Sequence, residues 1–213
     1  HRELVLPQLS GPGVAAHLVK KLSGFKVTYG PIRAKDLPAF FENGLQATPE
    51  MRLKTFTISE RMALVPMEVV GALRPSLIVL SILFLFAFLG RAEEGWIQAA
   101  HHGLFSVLAM LVAIFSGTVL TPLLLPWLPG RAFSLKGAIL GFLAAVALFS
   151  SLWGNSIAGT GPLEILSWLL LIPALSAFLA MSFTGASAYT SLSGVRKEMR
   201  WSLPLQIGAG IVG

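Results

Sequence analysis

Residues 4–51 read LVLPQLSGPGVAAHLVKKLSGFKVTYGPIRAKDLPAFFENGLQATPEM, and this stretch decides the fold. Two short runs rich in Val, Leu, Phe and Tyr, residues 4–8 and 25–29, have the length and composition of strands. Between them, residues 14–22 put Val14, His17, Leu18 and Lys21 on one side of a helix, and Gly24 supplies its stop. A second helix is expected over residues 36–43, stopped by Gly44. The order is β-α-β-α. Two strands joined by a helix pair in parallel, and parallel sheets are buried on both faces, so the pair implies further strands upstream. The chain accordingly reads as part of a longer protein: it opens without Met or a signal-peptide pattern and stops inside an apolar run.

In such sheets ligands lie beyond the carboxyl ends of the strands, which places a site at residues 9–15, 30–35 and 47–51. Gly11-Pro12-Gly13-Val14-Ala15-Ala16 matches the G-x-G-x-x-G/A spacing of a dinucleotide turn. That motif also needs an acidic residue at the end of its second strand, where this chain has Tyr29-Gly30; the next carboxylate, Asp36, begins a helix. A tight strand-to-helix turn is therefore the stronger reading. Glycines there still let backbone approach a large ligand, with helix N–H groups directed at its polar substituents.

Composition excludes an ordinary soluble domain. Hydrophobic residues make up 54% and charged residues 12% of the 213, mean hydropathy is +0.75, and globular chains carry roughly a quarter charged residues. The apolar excess lies after Leu73. The net charge of +6 is spread between apolar segments, which points to membrane topology and away from nucleic acid. With no Cys, the chain holds neither a disulfide nor a thiolate metal site.

Residues 57–73 read as an amphipathic connector along the interface, with Met62, Val65, Pro66, Val69, Val70 and Leu73 on one face and Arg61 and Glu68 on the other. Pro66 is expected to kink it, and a plain linker helix is the alternative. Arg74-Pro75 would then open the first span, residues 76–89, since Pro suits a helix's first turn. Further spans are expected at 103–125, 133–153 and 163–183, each about the 20 residues a bilayer core demands. Residues 202–213 begin a fifth. Arg52, Lys54, Arg61, Arg74, Arg131, Lys136, Arg196, Lys197 and Arg200 fall on one side and only Arg91 on the other, which makes the first domain cytoplasmic. Trp96, Trp127, Trp153 and Trp201 lie near span ends, as interfacial anchors do. The span centres lack charge, which weakens a transporter reading. His101 and His102 face different directions on a helix, so interfacial histidines outweigh a metal pair. Gly137 and Gly141 form a GxxxG pair suited to close helix packing.

The blocks LVLPQL (4–9), GVAAHLVKK (13–21), GFKVTYGPIRAKDLPAF (24–40) and ATPEMR (47–52) resemble the corrinoid domain of the mercury-methylating corrinoid proteins, the HgcA family. FTGASAYTSLSGVRKEMR (183–200) is similar to that family's segment between its last two spans. Several blocks in one order are more specific than a glycine motif. The resemblance implies a base-off cobalamin-type corrinoid, with cobalt held by a cysteine on a cap helix within an Asn-Val-Trp-Cys-Ala type motif upstream of this stretch. No catalytic residue is assigned in the chain itself. The Asp-x-His-x-x-Gly corrinoid signature is absent, so His17 is a packed or half-exposed histidine and no cobalt ligand.

The expected architecture is thus the end of an α/β, Rossmann-like corrinoid-binding domain (1–56), a connector (57–73) and an all-α polytopic membrane domain (74–213). Gln8, Leu9, Gly11, Gly13, Val14, Ala15, Tyr29, Gly30, Pro31, Ile32, Arg33, Ala47, Thr48 and Met51 are expected to line one side of the corrinoid. Thr184, Ser187, Tyr189 and Thr190 are expected to form a substrate-access loop on the cytoplasmic side; an ordinary connecting loop is the alternative. The implied activity is methyl transfer from cobalt to Hg(II), presented as a thiolate complex. The implied partners are a ferredoxin-type iron–sulfur reductant, a folate-type methyl donor and the bilayer of the inner cell membrane. A methyl carrier of the acetyl-CoA pathway type and a small-molecule transporter with a cytoplasmic domain are the alternatives.

Overall fold

The computed structural model describes residues 2–54, 56–90, 96–152, 161–183 and 192–213. The chain divides into two compact units, His1–Thr55 and Phe56–Gly213.

In the first unit, β1 (Glu3–Pro7) and β2 (Lys26–Gly30) pair in parallel, with Leu4 opposite Val27, Leu6 opposite Tyr29 and Pro7 opposite Gly30. The two strands therefore end level. Helix α1 (Ala16–Ser23) joins them and starts two residues later than its periodicity predicts. The cause is the preceding turn: the Gly13 and Val14 N–H groups both donate to Ser10 O, at 3.0 and 2.9 Å, and Ala15 remains extended. Gly24, at φ +74°, closes α1 in the left-handed conformation, its N–H donating to Lys20 O at 3.0 Å. Helix α2 (Leu37–Glu42) follows a 3₁₀ turn, Ala34–Asp36, and is shorter than expected. Phe40 is the fully buried side chain on which the unit closes. Gly30 lies against it: a Cβ there would stand 2.8 Å from Val5 Cγ1 and 3.4 Å from Phe40 Cε1. At the other end of the sheet, Thr28 Oγ1 donates to Glu3 Oε1 at 2.7 Å and Lys26 Nζ lies 3.1 Å from the same oxygen. The Thr28 hydroxyl, and then Lys26, hold the Glu3 carboxyl below its ordinary range.

The second unit is helical. Helix α3 (Ile58–Gly90) runs without interruption through Pro66 and Pro75. No helix boundary falls at Arg74-Pro75, where the first span was expected to open. At 1.5 Å per residue the helix is about 50 Å long, well beyond a bilayer core of about 30 Å. Its charged first half, with Glu68 and Arg74, and its uncharged second half need not both lie in hydrocarbon. Helix α4 (Trp96–Phe115) continues through a π-helical turn, Ser116–Leu120, into α5 (Thr121–Leu124). Pro122 explains the widened turn, because it has no N–H for an α-helical bond; Thr121 donates back to Ser116 O instead. Helices α6 (Phe133–Leu152), α7 (Pro162–Ser182) and α8 (Leu192–Val212) complete the described elements. Among the described residues, four stretches are long and apolar enough to cross a membrane: Ile58–Ile82, Ala100–Leu124, Phe133–Ser151 and Pro162–Ser182. Arg196, Lys197 and Arg200, read from sequence as a loop before a fifth span, belong to the first turns of α8.

Small residues bring α6, α7 and the π turn into close contact. A Cβ on Gly137 would stand 2.5 Å from Ala180 Cβ and 2.6 Å from Ser176 O; on Gly141, 2.7 Å from Pro173 Cα; on Gly117, 2.8 Å from Leu179 Cβ. Ser176, fully buried among them, donates to Gly137 O at 2.7 Å and accepts from Ser116 Oγ at 2.8 Å. Around this contact Ala109, Ala113, Ala145, Phe149, Trp168 and Ile172 form the main apolar core. Leu77, Leu104, Leu143 and Leu163 point outward, as side chains facing lipid do.

Replacing Gly137 by Val overpacks the α6–α7 contact and is expected to cost about 1–3 kcal/mol. Gly71, on the exposed side of α3 with no atom within 4 Å of an added Cβ, tolerates Ala with unchanged or slightly raised stability. Thermal unfolding of the purified variants in detergent checks both; equal melting of Gly137→Val and the parent chain would refute the contact.

Candidate functional site

The level strand ends of the first unit gather three loops at one edge. Beyond β1, the 3₁₀ turn Gln8–Ser10 leads into the glycine turn, and Ser10 Oγ donates back to Pro7 O at 2.7 Å. Beyond β2, Ile32 N–H donates to Met51 O at 3.1 Å, which ties the 30–33 segment to the turn around Glu50–Arg52. Tyr29 joins the two halves: its hydroxyl donates to Val14 O, and its ring passes 4.0 Å from where a Gly11 Cβ would be.

A cavity of about 410 Å³ opens at this edge, lined by Arg33, Lys35, Asp36, Thr48, Glu50, Met51 and Leu53. Of the fourteen expected site residues, Arg33, Thr48 and Met51 line the cavity, with Ile32 bonded to Met51 and Ala47 adjoining Thr48. Gln8, Leu9, Gly11 and Gly13 are exposed on the β1 side, and Val14, Ala15 and Tyr29 are half-buried beneath them. Gly30 and Pro31 are buried. Gly30 has Val5 and Phe40 against it and packs under the loops. Lys35 and Glu50 fall inside the stretches 30–35 and 47–51 expected from the strand ends, whereas Asp36 and Leu53 lie just beyond them. His17 is exposed on α1.

The edge brings backbone donors and polar side chains together around the cavity. The N–H groups of Ala16 and His17, in the first turn of α1, have no carbonyl one turn earlier to bond. Gln8 and Thr48 offer neutral donors and acceptors, and Arg33 and Lys35 offer cations for anionic substituents. At Gly13 an added Cβ would meet only Ser10 O, at 3.8 Å, so the turn leaves its outer side open. Among the described residues, no group of three His, Cys, Asp or Glu is placed to hold a metal.

The membrane-type unit has its own buried polar groups. His102 is buried on α4, and its Nδ1 lies 3.1 and 3.0 Å from the two carboxylate oxygens of Glu164 on α7. Glu164, its partner, lies 62 residues away in sequence. His101 on the same turn is exposed. Arg61, expected on the polar face of a connector, is also buried and donates to Pro122 O and Leu123 O at 3.0 and 2.9 Å, where it meets the negative end of α5. Trp127 and Trp201 are exposed, whereas Trp153 lies outside the described residues. Thr184, Ser187, Tyr189 and Thr190, the expected substrate-access loop, also lie outside the described residues.

Compared with protein-family profiles, curated proteins and solved structures, the chain gave no match.

Proposed function

We propose that this chain belongs to a membrane-anchored, corrinoid-dependent methyltransferase that delivers a methyl group to Hg(II). The observation that carries the reading is the gathering of three loops beyond two level parallel strands, in a chain whose sequence blocks resemble those of the mercury-methylating corrinoid proteins. When bound, the corrinoid supplies a methyl group on cobalt to a thiolate-held Hg(II). The chain's part is to bind and orient the ring. The open side of Gly13 admits ring substituents close to backbone, the first turn of α1 directs N–H groups at them, and Gln8, Thr48 and Arg33 hold peripheral amides or a phosphate. Reduction by a ferredoxin-type partner and remethylation by a folate-type donor complete the cycle that the resemblance implies.

The distribution of basic residues supports a first unit on the cytoplasmic side of the inner membrane, with Arg131 on that side and the start of α7 on the other. The chain has no Cys, so single cysteines report directly: Arg131→Cys is expected to label only in permeabilised cells and Leu163→Cys in intact ones. Labelling of both from outside contradicts the orientation.

A second reading, a small-molecule transporter, is favoured by the buried His102–Glu164 pair, because ionisable groups inside helical bundles often mark ion or substrate paths. One comparison separates the two. Gly13→Leu fits the fold, since the position is open, and is expected to abolish corrinoid retention by the whole protein while membrane insertion stays intact. His102→Gln is expected to leave retention unchanged. Full corrinoid content in Gly13→Leu, measured by absorbance and cobalt analysis, removes the site.

A further inference from the structure

A groove of about 300 Å³ runs between α6, α7 and α8, walled by Leu135, Ala138, Pro173, Ala177, Trp201 and Leu205. Residues 201, 202, 205, 206 and 209 contribute one face of α8 over about 12 Å of helix. That is the length of a stretch of acyl chain. The walls are apolar, but two polar side chains line the groove without hydrogen-bond partners among the described residues: the Ser134 hydroxyl, on a residue 3% exposed, and both amide atoms of Gln206. Unpaired buried polar groups in an apolar setting are costly, and a ligand carrying oxygens at that depth would satisfy them.

One end of the groove is marked by charge. Arg196, Lys197 and Arg200 are exposed on the turns of α8 that precede Trp201. Glu198, the carboxylate among them, is buried and turned away: its Oε1 accepts the Ser134 N–H at 2.6 Å, at the start of α6. The exposed part of this segment is therefore cationic. Trp201, 44% exposed, stands between the cations and the apolar groove, and indole rings are enriched where apolar and polar surroundings meet at a membrane surface.

We propose that this groove binds one anionic phospholipid of the surrounding bilayer. An acyl chain fills the channel along α8, the ester oxygens meet the Ser134 hydroxyl and the Gln206 amide, and the phosphate sits at Arg196, Lys197 and Arg200. A zwitterionic lipid would fill the channel equally but gain less from the cations. The inference is independent of corrinoid chemistry and rests only on the helices lying in a bilayer.

Native mass spectrometry of the full chain, released from nanodiscs of phosphatidylglycerol and phosphatidylcholine in equal amounts, tests it. Retained lipid is expected to be predominantly phosphatidylglycerol. Replacing Arg196, Lys197 and Arg200 together by Gln, on an exposed surface where the fold is not at risk, should reduce that preference about 10-fold to 100-fold. Ala138→Trp, and separately Ala209→Trp, should fill the channel and remove retained lipid of both kinds. Equal retention of the two lipids by the parent chain, or an undiminished preference in the triple variant, overturns the proposal. So does lipid-independent dimerisation that is lost in Ala209→Trp, which would assign the groove to a second copy of the chain.

Discussion

The approach of α6 to α7 at Ser176 is the constraint on which the helical unit depends. In an apolar medium, helices gain little from hiding hydrophobic surface and associate through close packing and hydrogen bonds. Gly137, Gly141 and Gly117 remove the side chains that would hold the backbones apart, and the Ser176 hydroxyl uses that proximity to reach Gly137 O and Ser116 Oγ. Because Ser116 opens the π turn, the same contact anchors the stretch that Pro122 widens. Arg61 can then meet the carbonyls that end α5. A run of small residues thus positions a buried cation two helices away.

The first unit works by a different rule. Its strands end in register, so that Pro7 lies opposite Gly30 and the loops after them leave from one line. Small side chains under that line, Gly30 above all, let Phe40 close the unit beneath while the upper loops stay open. A large ligand needs this combination of a rigid floor and accessible backbone, and the corrinoid reading rests on it together with the resemblance in sequence.

Much of this was legible in the sequence where a local rule decides the outcome. Strand lengths, the Gly24 stop and the apolar runs of α4, α6 and α7 follow from residue patterns within one element, and the GxxxG spacing named the tightest helix contact. What sequence missed depends on partners distant along the chain. His101 and His102 were weighed only against each other, as neighbours facing different directions, and nothing local points to Glu164, which lies beside His102 in space. Arg61 was placed on a solvent face because no short-range signal points to Pro122 O and Leu123 O. At Arg74-Pro75 the Pro was read as a helix start, whereas α3 carries it in its interior. At the candidate site, the strand-end rule names the loops but does not separate exposed positions, such as Gly13, from buried ones, such as Gly30 and Pro31.

The most direct test of the methyl-transfer account follows an isotopically labelled methyl group. Membranes carrying the whole protein are loaded with labelled methylcobalamin, washed, and given a Hg(II)–thiolate complex under anaerobic conditions. The account predicts labelled methylmercury in proportion to the corrinoid bound, and none from membranes without the protein. Full corrinoid loading with no labelled methylmercury would contradict it.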